Sequence, residues 1–177
     1  NVDQMVRYYN SKGKSYPSGT LGSKGAGDIR TFSQILLEES NAEGVRAEAA
    51  FCQAMLESAW LEFGGAVQAY QCNFAGMGAV DDDPVNNSYT YADVRTGLRA
   101  QIQHLKAYAS SAALANPVVS ASNAYNSYIA DGSRYYVVGN THGFGCAPTL
   151  EDLSEKWASG STYGQDIERL VNELLAA

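Results

Sequence analysis

Apolar positions recur along this chain at helical rather than strand spacing. Met5, Val6 and Tyr9 give one apolar side to a first helix predicted over residues 2–9. Residues 10–27 are rich in Gly, Ser and Lys, contain Pro17 and read as a loop. Asp28 is a predicted N-cap for a helix that carries Ile29, Phe32, Ile35 and Leu36 on one face and is broken at 41–44. The next helix is predicted over 45–63. Its centre, AAFCQAMLESAWL, is apolar nearly all round, the pattern of a helix buried in the middle of a domain, and Gly64 and Gly65 are expected to end it. Asp93 caps a predicted helix to about Ala109, with Leu98, Ile102 and Leu105 on its inner side. Thr149 with Asp152 has the spacing of a capping box opening a short helix to Ala158. Thr162 with Gln165 has the same spacing before a last helix holding Ile167, Leu170, Val171, Leu174 and Leu175.

Two stretches depart from this pattern. Residues 66–92 hold NFAGMGAV, the run Asp81 to Asp83, Pro84, Asn86 and Asn87, then Tyr89 and Tyr91 alternating with small polar residues; a small hairpin or loop lobe is expected here. Residues 115–145 are the least legible, with Tyr125, Tyr128, Tyr135 and Tyr136 before HGFGC. The sum is an α+β chain, mainly α. It is expected to be one domain over 1–177, with 1–27 an N-terminal extension packed on it.

Composition narrows the functions. A chain of 177 residues, 45% hydrophobic, can bury a core without a disulfide framework or a structural metal. A formal net charge of -7 argues against nucleic acid, whose phosphates need a basic face, and against charge-driven docking on an anionic membrane. No apolar run reaches the roughly 18 residues of a membrane span. Cys52, Cys72 and Cys146 are too few for a disulfide scaffold, and Cys52 reads as a small core residue. No metal or cofactor is implied. Twelve tyrosines are an excess, and a flat apolar ring with a polar tip suits sugars as well as it suits a half-buried surface.

Glu57 is the residue that needs explaining. It falls in the most apolar helix, with Gln53, Ala54, Trp60 and Leu61 three and four positions away. Apolar surroundings disfavour the charged carboxylate and raise its pKa; a helix C-terminus pushes the same way, and Trp60 is expected to supply an apolar wall. A protonated glutamic acid is what a glycosidase uses on a leaving oxygen. Lysozyme, the standard worked example of this logic, supplies the precedent. The opposing reading places Glu57 on an exposed edge, or in an ion pair with Arg95 or Arg99. Glu62 lies about 140° around a helix from Glu57 and makes a poor catalytic partner. Asp81, Asp82 and Asp83 are the nearest alternative source of a second carboxylate, or else a solvated acidic turn.

LESAWLEFGG followed by NFAGMGA resembles the glucosaminidase domains of bacterial autolysins, glycoside hydrolase family 73. The resemblance continues through DVRTGLRAQIQHLKAYAS, APTLEDLSEKWA and YGQDI, in family order from about residue 28 to the C-terminus. It implies a lysozyme-like helical body, a small β-hairpin or loop lobe, and a groove between them. It implies Glu57 as general acid, Tyr163 in the active site, and Asn73, Phe74, Gly76 and Met77 along the groove floor. Tyr89, Tyr91, Tyr135 and Tyr136 are then candidates for stacking on sugar rings. Family members commonly carry a second glutamate on the hairpin. Residues 78–93 contain none, so either Asp83 or a neighbour substitutes, or the substrate's own N-acetyl group attacks the anomeric carbon. The implied reaction is cleavage of peptidoglycan on the reducing side of N-acetylglucosamine, by a secreted or wall-associated monomer. Alternatives are a muramidase or lytic transglycosylase of the same fold, and a non-catalytic glycan-binding module.

Overall fold

Six α-helices form among the residues that the computed structural model describes, 1–65, 67–78, 88–115 and 142–177. They are α1 (Val2–Ser11), α2 (Ser18–Gly22), α3 (Ile29–Glu43), α4 (Ala47–Glu57), α5 (Val94–Ala109) and α6 (Tyr163–Leu175). Single 3-10 turns lie at Ala69–Gln71 and Glu151–Leu153. No β-strand forms among the described residues. The expected hairpin or loop lobe over 66–92 lies partly outside them, at 66 and 79–87; Asp81, Asp82, Asp83, Tyr125, Tyr128, Tyr135 and Tyr136 also lie outside the described residues.

The predicted caps explain where two long helices begin. Asp28 accepts from the Thr31 amide at 2.7 Å, and Asp93 accepts from the Thr96 amide at 2.8 Å. Helix α3 runs through the expected break to Glu43 and stops at Gly44, whose φ of 71° is the left-handed conformation that glycine adopts without penalty. The loop before Asp28 contains the short helix α2, which the Gly/Ser composition concealed.

Helix α3 packs on α5, α1 and α4, and α4 packs on α6. The core fills with Phe32, Leu36, Phe51, Met55, Phe74, Leu98, Ile102 and Ile167. Helix α1 closes one side through Met5, Tyr8 and Tyr9. Across the α3–α5 seam, Glu39 accepts from Arg99 Nε at 2.7 Å and from Arg95 Nη1 at 2.8 Å. Lys106 donates to Glu43 at 2.8 Å, one turn further on. All three cysteines are free thiols, and Cys52 and Cys72 are buried.

Helix α4 ends six residues before the predicted Phe63. Ser58 explains the stop. Its hydroxyl bonds the Ala54 carbonyl at 2.6 Å and accepts from the Leu61 amide at 3.0 Å, a local alternative to the helical ladder. Ala59, Trp60, Leu61 and Phe63 then take φ of 51°, 59°, 63° and 50°. Left-handed conformations cost non-glycine residues roughly 1–2 kcal/mol each. Burial of Leu61 and Phe63 offsets this. Gly64 and Gly65 therefore follow the turn rather than end the helix.

Candidate active site

Glu57 is the last residue of α4, where the unpaired carbonyls of the helix end disfavour an anion. It is not the interior position that the sequence suggested. The residue as a whole is exposed, yet protein atoms crowd its carboxyl on the inner side. Burial is the largest influence on that carboxyl and raises its pKa above the ordinary glutamate value; hydrogen bonds from Tyr163 and Trp157 pull the other way without reversing it. The crowding governs the acid, because it displaces water from the carboxyl. The exposure means that a ligand from solvent reaches it.

Tyr163 opens α6 and is 9% exposed. Its hydroxyl bonds Glu57 Oε1 in a short contact and accepts from Gln53 Nε2 at 3.0 Å. Burial first, then the neighbouring Glu57 carboxylate, push the phenol well above its ordinary pKa, so it stays protonated and donates. The seating of the start of α6 against the 3-10 turn depends on Gly164. A Cβ there would meet the Leu150 carbonyl oxygen at 2.0 Å and Glu151 Cα at 2.6 Å. The Gly164 amide instead donates to Ser154 Oγ at 2.9 Å. The helix start is thus held to the 3-10 turn, in place of the expected Thr162–Gln165 box: Gln165 accepts from Ser154. Thr149 does bond Asp152, at 2.9 Å through its hydroxyl, but only the single turn Glu151–Leu153 follows rather than a helix to Ala158.

The aromatic wall differs from the expectation. Trp60 turns away, onto the rings of Tyr8 and Tyr9 at 5.2 and 6.3 Å between centroids. Trp157 takes the place beside Glu57. Its ring lies 4.4 Å from that of His104 and 5.4 Å from that of Tyr108, both on α5. The ion pair with Arg95 or Arg99 does not form, since both arginines serve Glu39. Glu62 pairs with Lys14 at 2.8 Å.

Gly76 is brought to the carboxyl. With φ of 62°, it would direct a Cβ to 3.7 Å from Glu57 Oε2. Asn73 shapes the segment that carries it: its amide nitrogen donates to the Met77 and Tyr89 carbonyls at 2.8 and 3.1 Å, and its carbonyl accepts from the Met77 amide at 3.0 Å. Those bonds use both amide hydrogens and one acceptor position of the oxygen, and Asn73 is 2% exposed, so its side chain holds the loop. Phe74 is a core residue, packed edge-on to Phe32 at 5.1 Å. Met77, Tyr89 and Tyr91 are buried as well, at 3%, 6% and 2% exposure. Their burial departs from the open stacking platform expected of the two tyrosines. Asp83 and Tyr135 lie outside the described residues. Sequence reasoning missed Trp157, Gln53 and Gln101 as site residues. Gln53 had a readable signal, as the one uncharged polar side chain in AAFCQAML, four positions before Glu57.

Residues 33–175, which include this whole constellation, match the sequence model of the glucosaminidase family, described as mannosyl-glycoprotein endo-beta-N-acetylglucosaminidase. The chain belongs to the glucosaminidase family. An uncharacterized protein of Borreliella burgdorferi is 33% identical over 147 residues, which cover 83% of this chain. The chain spans 63% of the length of that relative. No solved structure matches it. Family membership accounts for the order of the motifs around Glu57, and the helical body agrees with it.

Proposed function

We propose that the chain is a peptidoglycan hydrolase, an endo-β-N-acetylglucosaminidase that cleaves the β-1,4 bond between N-acetylglucosamine and N-acetylmuramic acid outside the cell, with Glu57 as general acid. One observation carries this reading. A glutamic acid of raised pKa, reachable from solvent and held by a tyrosine and a tryptophan, lies within a glucosaminidase match. Glu57 gives its proton to the glycosidic oxygen as the bond to the anomeric carbon breaks. The oxocarbenium-like sugar is met from its other face by Asp83 or by the substrate's own acetamido oxygen, and water completes hydrolysis. Water's proton returns Glu57 to its acid form. The Tyr163 hydrogen is directed to Glu57, so its part is to hold the acid.

The test is release of muropeptides from purified wall by the native chain and by Glu57→Gln. The reading expects N-acetylglucosamine at the new reducing ends and a variant at least about 100-fold slower. Equal rates would remove Glu57 from the chemistry. N-acetylmuramic acid or an anhydro sugar at the new ends would assign the bond to a muramidase or a lytic transglycosylase.

A further inference from the structure

Behind the Glu57–Tyr163 pair runs a line of buried amides that the reaction as written does not use. Gln53 and Gln101 are both fully buried. Gln101 Nε2 donates to the Ala50 carbonyl at 2.9 Å and to Gln53 Oε1 at 3.0 Å; Gln53 Nε2 donates to the Tyr163 hydroxyl at 3.0 Å. The direction of this line is fixed from its far end. A backbone carbonyl only accepts, so the Gln101 atom facing Ala50 is nitrogen. An amide nitrogen does not accept, so the Gln53 atom facing it is oxygen, and the Gln53 atom facing Tyr163 is nitrogen. Gln101 Oε1 is left without a partner among the described residues. The reverse orientation would set it against two other acceptors, which is worse. With its oxygen occupied by Gln53, Tyr163 has its own hydrogen free for Glu57 Oε1.

We infer that Gln53, oriented by Gln101, is a positioning residue that locks the Tyr163 hydroxyl as a donor to Glu57 Oε1 and leaves the transferable proton on Oε2, the oxygen facing Gly76. The inference rests on Glu57 being the acid. It explains why the residue opposite Oε2 is a glycine: a side chain there would fill the space that the glycosidic oxygen must enter. The Trp157 indole donates to the carboxyl too, and a protonated oxygen still accepts through its remaining lone pair. The line also tunes the acid. Each donor in it polarises the next, so Gln53 strengthens the bond that favours the carboxylate and limits how far burial raises the pKa.

The sign of the effect follows. A general acid works while protonated, so the alkaline limb of turnover marks loss of the Glu57 proton. Gln53→Met keeps the volume but frees the Tyr163 hydroxyl to turn. The carboxylate is then less stabilised, and the alkaline limb moves to higher pH by roughly 0.5 unit while the rate at lower pH falls. Tyr163→Phe removes the donor outright and sets the full shift. Among the described residues, the titratable groups that face this constellation are Tyr163, bonded to the carboxyl, Tyr108, which acts on Tyr163, and His104, packed on Trp157; a limb owned by His104 stays put in both variants.

The experiment is the pH profile of hydrolysis of solubilised glycan strands by the native chain, Gln53→Met, Tyr163→Phe and Glu57→Gln, each with a thermal melt. The expected result is an upward shift of the alkaline limb in Gln53→Met, in the same direction as Tyr163→Phe and smaller. A merely structural Gln53 would lower the melting temperature and leave the limb in place, which overturns the inference. If Gln53→Met does not fold, Gln101→Met replaces it, because it frees Gln53 to flip; the same upward shift supports the inference and an unmoved limb overturns it. Native activity in Glu57→Gln would instead sink the assignment of the acid itself. An inactive Glu57→Gln with an unmoved Gln53→Met limb sinks only the role of Gln53.

Discussion

Glu39 and Glu57 lie on helices that pack together, α3 and α4, and their carboxyls are shifted in opposite directions from the ordinary glutamate value. Burial pushes both upward. At Glu39, hydrogen bonds and charge from Arg99 and Arg95 overcome it and hold the carboxyl below the ordinary range. At Glu57 the partners are a phenol and an indole, neither of them charged, and the pKa stays raised. One glutamate is held as a carboxylate because it has two arginines, and the other is left favouring its protonated form because it has none. The fold separates them by giving both candidate arginines of α5 to α3.

That contrast breaks most visibly at the seam. Arg99→Ala strips Glu39 of its best partner while the carboxyl stays buried. It should cost about 3 kcal/mol. That is a fall of roughly 6–12 °C in melting temperature for a chain of this size. Turnover per folded molecule should not change, and a loss of activity without a loss of stability would place Arg99 in the site instead. On the other side of the contrast, Tyr163→Phe should slow hydrolysis about 10-fold, the worth of one hydrogen bond to a reacting carboxyl, measured at the pH optimum of each form. Gly76→Ala should cost about 1 kcal/mol through its left-handed backbone. It should also slow turnover beyond what that loss explains, because the methyl would stand 3.7 Å from Oε2.

The smallest expected effect is on the stability of Glu57→Gln. A raised folded pKa means that native stability is fully present below the unfolded value and is lost as pH rises through the folded one. Glutamine avoids that loss. Melting of Glu57→Gln at pH 8 should therefore match or exceed that of the native chain. For Glu39 the sign is reversed: its depressed pKa adds stability above the unfolded value, lost as pH falls through the folded one. Native melting should drop on acidification through that window, and an unchanged melt there would deny Glu39 its role.

The seam and the site were unequally legible in the sequence. Asp28 and Asp93 announce α3 and α5 because a cap is a local signal, read within three residues. Glu57 stood out because the centre of its helix is nearly all apolar. Of the partners of Glu57, Tyr163 entered through the family resemblance alone and Trp157 did not stand out, since both arrive from about 100 residues away and only packing selects Trp157 over the nearby Trp60. The end of α4 was hidden because AWLEF is built of sound helix formers, and the stop lies in one serine hydroxyl and four left-handed residues. Tyr89 and Tyr91 are, on the sequence, part of a hairpin or loop lobe and candidates for stacking on sugar rings. Instead, backbone bonds from Tyr89 to Met77 and from Tyr91 to Gln71 draw that segment into the core.

The most direct test of the contrast is a carbon-13 titration of the glutamate carboxyls in the native chain, with Glu39→Gln and Glu57→Gln used to assign the two resonances. The account predicts that Glu57 titrates above the ordinary glutamate value of 4.5 and Glu39 below it. A Glu57 resonance titrating at or below that value would contradict the account, because the crowding around the carboxyl would then not favour its protonated form.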